Sequence, residues 1–264
     1  YMWCIASDTQ TKISDISLFD HLKSTSALAL ASYKYHKENN ILENGNQPRK
    51  EIKQFTVLVG DVSGIQNFIY DGIKSEGAAK TLRGKSFFVK MISDAIALHL
   101  IKEFELNLTN IILTAGGKFY ILLQNTDDLT KKVEEIKEKL NDYLYKEFFG
   151  QLFVNIVTIE SNGNEIARNF TKILEKGNRK LNWQKDKRFF NQIKENPIFD
   201  VRYRSDGTTA LDRLNEKFKE MGGEIPKAKF IGIRYNHEGD NNNTFQILEN
   251  MSIQFFKSKE EINT

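Results

Sequence analysis

Between residues 55 and 160 the hydrophobic period switches between two and about 3.6 in an order that few folds accommodate. Phe55-Thr56-Val57-Leu58-Val59-Gly60 is a β-branched run that predicts a strand. It runs into Asp61-Val62-Ser63-Gly64, a tight turn, and a short helix to Tyr70. A Gly- and Lys-bearing loop to about Leu82 follows. A helix over 86–104 then carries Phe87, Met91, Ala95, Leu98 and Ile101 along one face. Residues 111–114 and 119–123 read as strands joined by Ala115-Gly116-Gly117-Lys118, as a tight hairpin requires. A helix over 128–147 aligns Leu129, Val133, Ile136, Leu140 and Leu144, and residues 152–160 form a fourth strand. Strand, helix, strand, strand, helix, strand is the ferredoxin-like, split βαβ order. The fold class is therefore α/β (α+β), with a four-stranded antiparallel sheet. Each long helix has an apolar stripe that needs the same sheet face.

The flanks carry different patterns. Residues 14–38 predict an amphipathic helix through Leu18, Leu22, Thr25, Leu28 and Ala29, with Ser14 or Ser17 as its cap. Residues 39–50 are polar, hold a Pro and a Gly, and read as a linker. Three parts follow: a helical segment with linker at 1–50, the βαββαβ unit at 51–163, and a mixed α/β region at 164–264. In the last part, residues 164–193 read as a basic helix with Lys172, Lys176, Arg179, Lys180, Lys185, Lys187 and Arg188, more readily a solvated face than an RNA site. Another helix is expected at 208–221, strands at 229–235 and 252–256, and a loop at 239–243.

Hydrophobic residues make up 40% of the chain, enough for a packed core, and the net charge of +3 leaves any nucleic-acid contact to local patches. Cys4 is the only cysteine, which excludes an internal disulfide and a Cys-based zinc site. No apolar run is long enough to span a bilayer and no signal peptide is visible, so a reduced, cytoplasmic setting is expected, with no membrane partner. A start at Tyr1 suggests a fragment of a longer protein.

Chemistry is expected where two turns meet. The first, Gly60 to Gly64, ends a strand and begins a helix, so its backbone N–H groups suit phosphate, and Gly64 permits close approach. The second is the Gly116-Gly117 hairpin, which this topology places beside the first strand. In palm-type cyclases and polymerases, an acid at the first position and an acid in the hairpin hold two metal ions. Here Asp61 supplies the first, but the hairpin carries Lys118, which repels a metal and attracts phosphate. The stretch KSEGAAKTLRGK adds Lys74, Lys80, Arg83 and Lys85, either along a phosphate or RNA path or as a solvated basic loop. Asp20 and His21 lack companion ligands, and His36, His99 and His237 show no metal spacing.

GDVSGIQNFIY (residues 60–70), GAAKTLRGKSFF (77–88) and AGGKFYILL (115–123) resemble the first palm of the large signature subunit of type III CRISPR effector complexes. DISLFDHLKSTSALALA (15–31) is similar to the closing helix of that family's HD nuclease domain. NRKLNWQKDKRF (178–189) and MGGEIPKAKFIGI (221–233) resemble the segment linking its two palms, with the Csm type nearest. The resemblance implies a subunit that, once guide RNA pairs with target RNA, cuts single-stranded DNA and converts ATP into cyclic oligoadenylate. It also implies a nucleotidyltransferase centre whose metals, Mg or Mn, are held by a GGDD hairpin in the second palm. This sequence has neither His-Asp dipeptide nor GGDD, so neither activity is expected of it alone. The implied role is an ATP-binding, non-catalytic palm, with Asp61, Ser63, Gly64 and Gln66 lining the nucleotide. Gly116, Gly117 and Lys118 would face phosphates or the second palm. Guide RNA and other effector subunits are the implied partners, target RNA an indirect one. The rival readings are a scaffold palm that packs without binding nucleotide, and a stand-alone cyclase, which Lys118 disfavours.

Overall fold

The computed structural model describes residues 1–8, 10, 15–41, 51–185, 193–194, 208–235 and 244–262. In chain order the elements are α1 (Leu18–Glu38), β1 (Phe55–Ser63), α2 (Ile65–Tyr70), α3 (Ala78–Glu103), β2 (Ile111–Ala115), β3 (Lys118–Gln124), α4 (Leu129–Glu147) and β4 (Phe153–Ser161). They continue with α5 (Gly163–Lys185), α6 (Ala210–Glu224), β5 (Phe230–Tyr235), β6 (Thr244–Leu248) and β7 (Met251–Phe256). Ser14, most of the 39–50 linker, the 239–243 loop, His237, and Lys187 and Arg188 lie outside the described residues.

The βαββαβ expectation is met. The first sheet has the order β2-β3-β1-β4, with every neighbouring pair antiparallel. Alternation along β1 sends Leu58 and Val62 to one face and Val57 and Val59 to the other. On the first face α4 buries Val133, Ile136 and Leu140, as its stripe requires, while α3 buries Phe88, Ile92 and Ile96, one residue on from the stripe read in the sequence, of which Ala95 and Ile101 are buried and Phe87, Met91 and Leu98 half-buried. The second face is covered too, by helices from the two flanking parts. Ala27 and Ala31 of α1 and Ile173 and Leu181 of α5 pack there against Val57, Val59, Leu122, Val157 and Ile159. A two-sided sheet explains why β1 is buried along almost its whole length instead of alternating.

Helix caps follow their sequence signals. Ser17 accepts from the Asp20 amide at 3.0 Å to start α1. Asn162 and Glu165 exchange backbone and side-chain hydrogen bonds of 2.9 and 3.0 Å to start α5. Thr209 and Asp212 form a capping box on α6.

Further expectations need correction: the stripe read on α1 is not its buried face, since Leu22, Thr25 and Ala29 are exposed and Ala27 and Ala31 face the sheet. The helix expected over 86–104 begins eight residues earlier, at Ala78, so Lys80, Arg83 and Lys85 are helical and not in a loop. The added turns, Ala78-Ala79-Lys80-Thr81-Leu82-Arg83, consist mostly of strong helix formers, and Gly84 at their end lets α6 cross α3 backbone to backbone. The C-terminal region also contains a strand, β6, that no pattern announced. With β5 and β7 it forms a second antiparallel sheet in the order β5-β7-β6. Ile247, Met251, Ile253 and Phe255 of this sheet join the core that α3 shares with the first sheet.

Candidate functional site

The first predicted turn needs correction: β1 runs on through Ser63, so residues 61–63 are paired strand and only Gly64 turns the chain, and it is the strand register that sets Asp61 beside the hairpin. Asp61 is the partner of Lys118 on β3 and of Asn155 on β4. All three stand on the face covered by α5, at the end of the sheet where the apolar floor gives out. The hairpin is tight because Gly116 and Gly117 both take positive φ, 58° and 87°, as a two-residue turn of the primed type demands. Its Gly117 carbonyl accepts from the Val62 amide at 2.8 Å, fixing the hairpin to the strand that carries Asp61.

Helix α5 closes the corner. Gly177 lets it approach β1, since a Cβ there would lie 2.6 Å from Val59 Cγ2. That approach sets Asn178 and Lys185, two turns apart on the same helix, over the polar end of the sheet. Lys118 Nζ donates to Asn178 Oδ1 at 3.0 Å. Lys185 Nζ lies 3.1 Å from Asp61 Oδ2, and the Ser63 hydroxyl donates to the same oxygen at 2.5 Å. The Asn155 side-chain amide is buried with no acceptor for its Nδ2 among the described residues. The cluster therefore holds one carboxylate, two ammonium groups and a spare donor, a set that favours an anion. Among the described residues no three His, Cys, Asp or Glu side chains stand close enough together to hold a metal ion, and Asp61 faces a cation.

The other predicted residues fall less centrally. Gly64 caps α2 at φ 89°, but a Cβ there would lie 2.0 Å from the Gln151 carbonyl. The close approach it permits is thus made by the chain's own backbone. Gln66 is exposed on the first turn of α2, with no hydrogen bond to the cluster among the described residues. Of the basic stretch, Lys80 is exposed, and the other three cations have partners within the chain. Lys74 pairs with Asp212 at 2.8 Å, Arg83 donates to the Gly222 carbonyl at 3.0 Å, and Lys85 donates to the Asp71 carbonyl at 2.8 Å. The first two bind α6 to the α3 end. Lys85 is fully buried, 5.3 Å from the Phe68 ring centre.

Burial holds the Lys85 ammonium below the ordinary lysine range, with Asp71 opposing weakly. An unfolded lysine titrates near about 10.4, so between the two values the unfolded chain binds more protons and stability rises with pH. Lys85→Met deletes that dependence. Denaturant midpoints of the two proteins, compared upward from pH 7, should shift in favour of the wild type as the pH approaches about 10.4. A constant difference would show that burial leaves this ammonium unperturbed.

Asn155, Asn178 and Lys185 were not singled out from the sequence as members of this site. Asn155 had a signal, since it interrupts the apolar run LFVNIVTI at a position facing inward on β4.

Comparison with known proteins gives a consistent answer. A family model described as Csm1 subunit domain B matches residues 54–201. The single-strand-specific deoxyribonuclease Cas10/Csm1 (subtype III-A) of Thermococcus onnurineus is 36% identical over 179 residues, covering 66% of this chain and 23% of that protein. Its counterpart in Methanocaldococcus jannaschii is 31% identical over 209 residues, covering 69% and 25%. The chain thus spans about a quarter of the length of these relatives. An apo Csm1–Csm4 cassette superposes with a TM-score of 0.73 at 27% identity, over 97% of this chain and 32% of that one. A Csm1–Csm4 cassette in complex with one ATP gives 0.72 at 28%, over 97% and 32%.

Proposed function

From the premise that the chain belongs to the Csm1 family of type III CRISPR effector subunits, we propose that it is the nucleotide-binding, non-catalytic palm of such a subunit. In this reading it contributes one wall of an ATP pocket used for cyclic oligoadenylate synthesis. The observation that carries it is the register pair of Asp61 and Lys118: the hairpin corner that holds a second acid in catalytic palms here holds a cation. Lys118 and Lys185 supply charge for phosphate, while the metals, Mg or Mn, and the GGDD hairpin belong to a second palm. Solved Csm1–Csm4 cassettes in complex with ATP, AMPPNP or cA4 support nucleotide binding in the family. They also make a Csm4-type subunit a proposed partner, beside guide RNA and the second palm. In this reading the chain divides into a helical segment with linker at 1–50, the palm at 51–163 and a region leading toward the second palm at 164–264. Among the described residues no helix is long and apolar enough to cross a membrane.

One observation favours the scaffold alternative: α5 already satisfies Lys118 through Asn178 and Asp61 through Lys185. The two readings diverge in one titration. Two charge-assisted phosphate contacts of about 2 kcal/mol each correspond to a dissociation constant on the order of 1 mM. ATP–Mg titrated into this chain alone should bind about that weakly, and adding the GGDD-bearing palm should tighten binding by about tenfold or more. Equal affinity in both cases would mean that the pocket is not shared, and no binding in either would establish the scaffold.

A further inference from the structure

The edge of the first sheet at β4 is closed over only part of its length. The Val62 amide points to Gly117 of the hairpin, so even-numbered residues of β1 turn their backbone groups toward β3 and odd-numbered ones toward β4. Across the register, the backbone groups of Val154, Ile156, Thr158 and Glu160 therefore point away from the sheet. At Val154 the gap is filled by a side chain. Asn141 of α4 donates to the Val154 carbonyl and accepts from its amide, both at 2.9 Å, as a neighbouring strand would. From Ile156 to Glu160 the only such contact among the described residues is the exposed Lys180 ammonium, 3.2 Å from the Thr158 carbonyl.

This open edge is the floor of a groove of about 880 Å³ between the two helix layers. Val133 and Glu134 of α4 form one wall; Lys176, Arg179 and Trp183 of α5 form the other. The Trp183 side chain is 83% exposed. The acids here are already matched: Glu134 pairs with Lys137, and Glu160 lies 3.8 Å from Lys53. Lys176 and Arg179 have no acidic partner among the described residues, so the groove carries surplus positive charge.

We propose that this groove takes an extended, acidic segment of a partner protein, which adds to β4 as a fifth strand. Alternate residues of the floor offer an N–H and a C=O at strand spacing, and an extended peptide returns both kinds of group at the same interval. A DNA sugar–phosphate backbone offers acceptors only and an RNA one adds just the 2′-hydroxyl as a donor, so oligouridylate is the nucleic-acid arm of the test. Acidic side chains pointing toward α5 match Lys176 and Arg179, and apolar ones lie against Trp183 or, on the other face, Val133.

The test uses a short fluorescent peptide alternating glutamate and valine, its lysine–valine counterpart, a copy of the acidic peptide N-methylated at alternate amides, and oligouridylate. The acidic peptide should bind, as read by fluorescence anisotropy. Binding should fall by about tenfold or more with the N-methylated copy, with the lysine–valine peptide and with K176E/R179E. Both substituted residues are exposed, so an unchanged circular dichroism spectrum should accompany that loss. The proposal is overturned if the acidic peptide fails to bind, or if binding survives N-methylation. It is also overturned if oligouridylate binds more tightly through the same two residues, which would assign the groove to nucleic acid.

Discussion

Replacing Gly222 by valine is expected to unseat α6 from α3 at a cost of about 3 kcal/mol or more. A Cβ at 222 would lie 1.9 Å from the Lys80 carbonyl oxygen and 3.0 Å from the Gly84 amide nitrogen. The reciprocal Cβ at Gly84 would lie 2.0 Å from the Phe218 carbonyl. All of these atoms are backbone and cannot swing aside, so the helices must part. Separation would break the Arg83 bond to Gly222 and withdraw Phe218 from the aromatic cluster. Hydrogen exchange should report faster opening of α6 while β1 and β3 keep their protection. Gly223 is the control: a Cβ there meets nothing within 4 Å, and Gly223→Ala should be neutral or stabilising by up to about 1 kcal/mol. Similar losses at both positions would show that backbone approach is not what joins the helices.

Phe68→Ala should cost about 3–5 kcal/mol. Phe68 is fully buried, with ring centres of Phe218, Phe148 and Phe88 at 5.2, 5.9 and 6.0 Å. It lies in GDVSGIQNFIY, the segment that most clearly marks the family resemblance, yet its contacts are those of a core anchor. Its helix, α2, has six residues and no stability of its own, so the ring is what holds α2 and the preceding turn in place. Urea denaturation of Phe68→Ala and Phe68→Leu should show a large loss that leucine partly restores. A loss below about 1 kcal/mol for alanine would mean that the turn is held by other contacts.

The strand and helix order from β1 to β4 was legible because each element carries its own period, and the Gly116-Gly117 turn allows little but a hairpin. Register then brings Asp61 to Lys118, so the centre of the site was legible as well. What could not be read depends on contacts between elements distant in sequence. The helical state of residues 78–85 was obscured by the flanking glycines and the absence of an apolar stripe, although most of them favour a helix, and the crossing of Gly84 with Gly222 is a contact between distant elements that no local pattern shows. Lys185 and Asn178 enter the site because Gly177 sets α5 close on Val59, which no local pattern encodes. Thr81, Gly84 and Lys85 are buried for the same tertiary reason. The strand β6 is five residues long beside a polar Asn run, too short for alternation to stand out.

The Asn141 amide that ends the sheet at Val154 also bears on how the chain survives its own folding. Residues 152–159, LFVNIVTI, combine β-branched and aromatic residues with no charge and no proline, the composition of a segment that stacks with copies of itself. In the native protein α4 covers one face and caps the start of this strand with Asn141. Before α4 and α5 dock, both faces of this strand are bare as well as its edge, so the hazard is greater in partly folded chains than in the native protein, where the edge alone stays open along the groove. Damage to the docking of α4 would therefore surface first as poor yield and insoluble protein, at a lower threshold than any loss of ligand binding.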